Sequence, residues 1–145
     1  MDLSIIGDTV NVAARFESAS KQYGLDNLIG ESTFGRLSED FEGRLIDLVR
    51  VKGKHEPVGC YELLGEKGQI SERETALIQE YTRAMTLYRT GSFEQALDAF
   101  QRSGEFERVT ADGAINPSRL FSDRCRTLIA NPPAHWDGAW TLTSK

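Results

Sequence analysis

A change of hydrophobic period divides the chain near Ser71. After it, apolar residues recur at three- and four-residue intervals: Leu77, Ile78, Tyr81, Met85 and Tyr88 within Glu74 to Thr90, then Phe93, Ala96, Leu97 and Phe100 within "GSFEQALDAFQRS". Positions three and four apart lie on one helical face, so each run predicts an amphipathic helix, and the join at Thr90-Gly91 predicts an antiparallel hairpin. A third helix is expected from Pro117 to Ala130, opened by Asn116-Pro117, with Leu120, Phe121, Cys125 and Leu128 on its apolar side. The closing "NPPAHWDGAWTLTSK" is too rich in proline to be helical and carries both tryptophans.

Before the change the apolar runs are short and β-rich. "LSII" reads as a strand and Thr9 to Tyr23 as a helix, capped by Asp8 or Thr9 and stopped by Gly24. Leu25 to Ile29 reads as a second strand and "ESTFGRLSED" as a short helix. "RLIDLVRVKGKHEPVGCYELL" holds two β-rich runs around a Lys-Gly-Lys turn, which is a hairpin pattern. The order β-α-β-α-β-β followed by helices places the chain in the α+β class. The expected organisation is an α/β unit over residues 1–66, a polar linker over 67–73, helices over 74–130 and a Pro/Trp-rich tail over 131–145.

A unit of three or four strands and two helices buries only about 60% of its unfolded surface even with a closed core. A strand opening at residue 2 therefore expects neighbours, and the chain is read as beginning inside a domain. Net charge is −5, from 17 basic and 22 acidic residues, which argues against a broad basic face for nucleic acid. Local donors for a small anion are compatible with that balance. Cys60 and Cys125 match no disulfide or zinc spacing and are expected as free thiols. No run approaches the ~20 apolar residues that span a bilayer, and the start lacks the flank of a secretory signal, so a cytoplasmic location is expected.

Chemistry concentrates in "IGDTVNVAAR". Asn11 and Arg15 are four apart and share a helical face near an amino end whose free N–H groups attract anions. Arginine offers a planar fork for phosphate oxygens, and asparagine a donor and an acceptor for a sugar hydroxyl. The spacing alone also describes two unrelated surface residues. Asp8 reads as an N-cap, and His55 and His135, which have no partner in sequence reach, as surface residues.

The blocks "SIIGDTVNVAARFESASKQYG" and "LVRVKGKHEPVGCYELLGE" resemble the carboxyl-terminal half of the class III adenylate/guanylate cyclase catalytic domain. The resemblance covers Leu3 to Glu66 and implies a partial ferredoxin-like cyclase palm. It implies that Asn11 and Arg15 stabilise the transition state of cyclisation, that Ser4 helps read the base, and that Lys52 reaches the triphosphate. The serine favours ATP over GTP. The family uses Mg or Mn held by two aspartates that precede these blocks, and its sites form between two subunits. The chain is therefore expected to hold no metal by its own ligands, to be inactive alone, and to work with a second cyclase subunit.

The helical part resembles a tetratricopeptide-type hairpin with one evident repeat, fewer than the three or so a free solenoid needs. Such a tail, ending in Trp-Asp-Gly, is similar to that of bacterial membrane-anchored sensor cyclases, which implies the cytosolic portion of an anchored protein. A helical lid on the sheet is the structural alternative. A non-catalytic helical interaction module with a relic cyclase half is the alternative function.

Overall fold

The structure is a computed structural model, and it describes residues 20–50, 56–108 and 114–141. Residues 20–23 are helical and end at Gly24. There φ is +75°, the Gly24 N–H donates to the Lys21 carbonyl at 3.1 Å and the Leu25 N–H to the Ser20 carbonyl at 2.9 Å. This pair of bonds satisfies the last carbonyls of the helix and needs a residue free to adopt the left-handed region.

The expected strand at Leu25 to Ile29 shortens to β1, Ile29–Gly30. The turn after Gly24 takes its first residue, and Asn27 takes another role. The Asn27 side-chain amide donates to the Leu63 carbonyl at 3.1 Å and accepts from the Leu63 N–H at 2.7 Å, occupying the place of a backbone strand partner. Helix α1 follows at Glu31–Leu37, where a short helix is expected.

The hairpin forms as expected from β2, Phe41–Arg50, and β3, Val58–Glu66, paired antiparallel. The sheet order is β1-β3-β2-β4, the last strand being Trp140–Thr141, which runs parallel to the end of β2. The expectation of a non-helical tail holds, but its closing strand is additional. Two residues of long-range pairing leave no periodic trace in sequence.

The three helices lie where their periodicity places them. Helix α2, Glu72–Arg89, opens with Ser71 and Glu74 exchanging side-chain-to-backbone hydrogen bonds at 3.1 and 2.9 Å, a capping box that satisfies two free N–H groups. Helix α3 is Phe93–Gly104 and helix α4 is Pro117–Ala130. The Asn116 side chain caps α4 by accepting from the Arg119 N–H at 2.8 Å, with proline at the first helical position.

The helices pack in sequence, α2 on α3 and α3 on α4, and α2 lies on β2. Ile46, Val49 and Cys60 of the sheet share one core with Tyr81, Tyr88, Phe100 and Phe121 of the helices. Ring pairs such as Tyr88–Phe121 and Phe100–Phe121, each 5.1 Å between centroids, add about 0.5–1.5 kcal/mol apiece to the burial itself. The cover that a bare hairpin lacks on this face thus comes from α2 to α4. On the other face, Phe34 of α1 stacks on Tyr61 at 4.2 Å.

Candidate functional site

Ser4, Asn11, Arg15 and Lys52 all lie outside the described residues, as do Asp8 and His55. What the structure describes is the frame that flanks them. Residues 20–23 are helical and fall within the stretch expected to be a helix from Thr9, the rest of which, with the expected strand "LSII", lies outside the described residues; Arg50 and Val58 flank the segment that contains Lys52. His135 is exposed, as expected.

The frame contains two buried ionic clusters that sequence reading does not single out. A register shift between Leu45 and Asp47 makes Ile46 an extra residue in β2. In a regular strand, residues 44 and 47 would point to opposite faces. The bulge instead lets Arg44, Ile46, Asp47 and Val49 all be buried.

In the first cluster, Arg44 Nε donates to Glu62 Oε1 at 2.8 Å, while its two terminal nitrogens each donate to a Glu107 oxygen at 2.9 Å. The guanidinium lies 4.7 Å from the Tyr81 ring centre. Glu107 also accepts from the Ser118 N–H at 3.1 Å and the Ser118 hydroxyl at 2.6 Å, an anion seated on the first turn of α4. Burial pushes the Glu62 carboxyl above the ordinary carboxylate range, with Arg44 pulling the other way.

In the second cluster, Asp47 Oδ2 accepts from the Tyr23 hydroxyl at 2.6 Å and from Arg124 Nη1 at 2.9 Å, and Asp47 Oδ1 accepts from the Leu48 N–H at 2.8 Å. Arg124 Nη1 also donates to the Tyr88 hydroxyl at 3.2 Å. Burial raises the Asp47 carboxyl, opposed by Arg124 and the Tyr23 hydroxyl. It raises the Tyr23 and Tyr88 phenols as well. The available sequence signal is a charge within an apolar β run, as in "RLIDLVR". A buried charge requires partners, and those partners lie too far along the chain for spacing to identify.

A cavity of about 220 Å³ opens beside the first cluster, with Arg44, Glu62, Glu107, Arg73 and Arg108 in its wall. These groups are engaged with protein. Arg73 donates to the Phe106 carbonyl at 3.2 Å, and Arg108 pairs with Asp26 at 2.9 Å. Among the described residues no three His, Cys, Asp or Glu side chains are grouped to hold a metal ion. Asp47, Glu62 and Glu107 are each committed to an arginine, so this donor set does not fit a divalent cation.

The tail passes beside the turn between α2 and α3. Trp136 packs between Tyr88 and Phe93, at 5.1 and 5.2 Å, and donates its indole N–H to the Tyr88 carbonyl at 2.8 Å. Asp137 pairs with Arg50 at the end of β2, and that hydrogen bond holds its carboxyl below the ordinary range. Cys60 and Cys125 are buried free thiols, and burial pushes the Cys125 thiol up to about 11. Among the described residues no helix is long and apolar enough to cross a membrane.

No family model matches the chain, and no solved structure does. Two curated proteins do. The chain is 36% identical over 129 residues to a protein of Dictyostelium discoideum named adenylate cyclase, terminal-differentiation specific, a match over 86% of this chain and 6% of that protein. It is 52% identical over 66 residues to an adenylate cyclase of Anabaena cylindrica, over 43% of this chain and 13% of that protein. The chain therefore spans a small share of the relatives it matches, and the larger match extends well beyond any 66-residue portion of it. The chain is related to adenylate cyclases.

Proposed function

We propose that the chain supplies the phosphate- and ribose-holding side of an adenylate cyclase site, which a second cyclase subunit completes. The observation that carries this reading is its relation to two proteins named adenylate cyclase, one over 86% of its length. The antiparallel pairing of β2 with β3 supports it, because the strands flanking "VKGK" lie side by side as the motif expects.

In the proposed reaction the ribose 3′-oxygen forms a bond to the α-phosphorus of ATP. The bond from that phosphorus to pyrophosphate breaks, and the 3′-hydroxyl loses its proton to solvent. Arg15 clamps the crowded phosphoryl group as its charge redistributes, and Asn11 orients the ribose. Lys52 neutralises charge on the departing pyrophosphate. Ser4 accepts from the adenine amino group, which favours ATP over GTP. The complete enzyme is expected to use Mg or Mn with ligands from outside this chain. A single preorganised donor is worth about 3–4 kcal/mol, short of what a full site supplies, so the chain alone is expected to form no cyclic AMP.

The test is ATP titration of the folded chain by NMR, with Arg15→Ala and Lys52→Ala alongside. Each substitution is expected to weaken ATP binding by roughly tenfold or more while leaving the fold intact, as loss of a charge-assisted contact does. Unchanged affinity in both variants would remove this reading and favour the helical interaction module. Cyclic AMP made by the pure chain, and lost in Arg15→Ala, would contradict the expected inactivity.

A further inference from the structure

Glu62 and Glu107 share one guanidinium, and the two carboxylates are not equally served. Glu107 accepts four hydrogen bonds, two from Arg44 and two from Ser118, which fills a carboxylate. Glu62 accepts one, from Arg44 Nε to Oε1 at 2.8 Å. Its second oxygen has no hydrogen-bond partner among the described residues, although the residue is only 6% exposed. Among those residues the side-chain oxygen sealed without a partner is Glu80 Oε1, so Glu62 Oε2 is open to some space. Glu62 lines the cavity of about 220 Å³, and that is the space it opens on.

The rest of the wall suits a molecule with an apolar body and a positive end. Leu64, Leu77, Phe106 and Pro117 supply apolar surface, and Ile115, 52% exposed, is the one large apolar side chain exposed among the described residues. Arg44, Arg73 and Arg108 bring three positive charges to the wall, and Asp26, Glu62, Glu74 and Glu107 bring four negative ones, a formal net of −1. The other two arginines do not pair with Glu62: Arg73 donates to the Phe106 and Glu107 carbonyls, and Arg108 to Asp26. A volume below the ~300–1,000 Å³ of drug-sized sites admits a single ring or a short chain.

We propose that this cavity binds a small organic cation, an amine or amidine on an apolar body, whose N–H groups donate to Glu62 Oε2 while the body rests on Leu77, Phe106 and Ile115. The proposal is independent of the nucleotide reading. The wall is drawn from β2 and β3, from α2 and from the segment that opens α4. A bound cation therefore bridges the sheet and the helical part, and stabilises their packed arrangement by mass action. Burial raises the Glu62 carboxyl, opposed by Arg44 and Arg108 and aided by Glu107. The ionised carboxylate takes the cation, and affinity is lost as pH falls through that raised value.

The experiment titrates benzamidine into the folded full chain and follows methyl signals by NMR, with benzyl alcohol and benzoate as neutral and negative analogues of the same ring. At pH 7 benzamidine is expected to shift the Leu64, Leu77 and Ile115 methyls saturably, and the two analogues to bind roughly tenfold more weakly or worse. Glu62→Gln keeps an oxygen for Arg44 Nε and turns an N–H donor toward the cavity, so it should weaken benzamidine by roughly tenfold. Lowering the pH from 7 to 5 should weaken binding severalfold in wild type and leave the variant unchanged. No saturable shift with benzamidine, or equal affinity for benzyl alcohol, would overturn the proposal. So would a folded Glu62→Gln variant that binds benzamidine as tightly as wild type; if that variant does not fold, the three ligands compared on wild type decide the matter. Shifts confined to exposed carboxylates such as Asp26, with the three methyls unmoved, would overturn it as well.

Discussion

Replacing Arg44 by methionine strands two buried carboxylates. Arg44 is 2% exposed, Glu62 6% and Glu107 5%, and the guanidinium donates once to Glu62 and twice to Glu107. Methionine keeps an apolar stem against Tyr81 but brings no charge. Removing one member of a buried ion pair costs about 3–5 kcal/mol, because the other stays desolvated. Ser118 still donates twice to Glu107, which places the expected loss near the lower figure, about 3 kcal/mol. Against a total stability of about 5–15 kcal/mol, that is a large fraction. The loss should depend on pH. Burial already raises the Glu62 carboxyl and Arg44 opposes the rise; without Arg44 its folded pKa climbs further above the unfolded value. The folded variant then binds a proton that the unfolded chain does not, so its deficit shrinks as pH falls from neutral toward 5. Urea unfolding followed by far-ultraviolet circular dichroism at pH 7 and pH 5 measures both effects. Adding Glu62→Leu should recover part of the loss by removing one stranded charge. An Arg44→Met variant within about 1 kcal/mol of wild type, or a double variant less stable than the single, would refute the reasoning.

Gly24→Ala should destabilise the chain by more than the ~1–2 kcal/mol of left-handed strain, because the new Cβ would also meet the Ile115 carbonyl at 2.0 Å; a thermal midpoint equal to that of wild type would contradict this. The phenols of Tyr23, Tyr81 and Tyr88 and the thiols of Cys60 and Cys125 are all raised by burial. Their contribution to stability is complete below the ordinary thiol and phenol values of about 9 and 10 and is lost as pH rises through the folded values. Cooperative alkaline unfolding is therefore expected above about pH 10, with phenolate absorbance appearing together with the loss of circular dichroism. Ionisation of two or more of the four tyrosines with the dichroism intact would count against it.

Helices α2, α3 and α4 were legible because each writes its core face into the sequence at three- and four-residue spacing, and because Asn116-Pro117 and Gly24 mark ends by their own backbone chemistry. The β2–β3 hairpin was legible for a similar reason, as two β-rich runs with a turn between them. Leu25 to Ile29 misled because its apolar content resembles a strand, while Asn27 spends its side chain on Leu63. Strand β4 and the partners of Arg44 and Asp47 depend on contacts 18 to 91 positions away, from Arg44–Glu62 to Val49–Trp140, and local pattern carries no information at that range. The candidate residues Ser4, Asn11, Arg15 and Lys52 came from motif resemblance, and they lie outside the described residues.

The two clusters explain more together than apart. Both arise on β2, three positions apart, and the extra residue Ile46 is what brings Arg44 and Asp47 to the helical side. Glu107 reaches Arg44 from the segment before α4 and seats on the first turn of that helix, while Arg124 reaches Asp47 from two turns further along it. A helix sliding along the sheet could preserve apolar contact at many registers, but here a shift of one residue would break both pairings at once. Charge complementarity thus specifies a register that the aromatic core leaves open, at a desolvation cost that the core must offset. Because Tyr23 shares Asp47 with Arg124, that register also determines where the end of the preceding helix stands. Asp47 is the carboxylate that the helical part and the segment before β1 share, and Asp47→Asn should loosen both together rather than either alone.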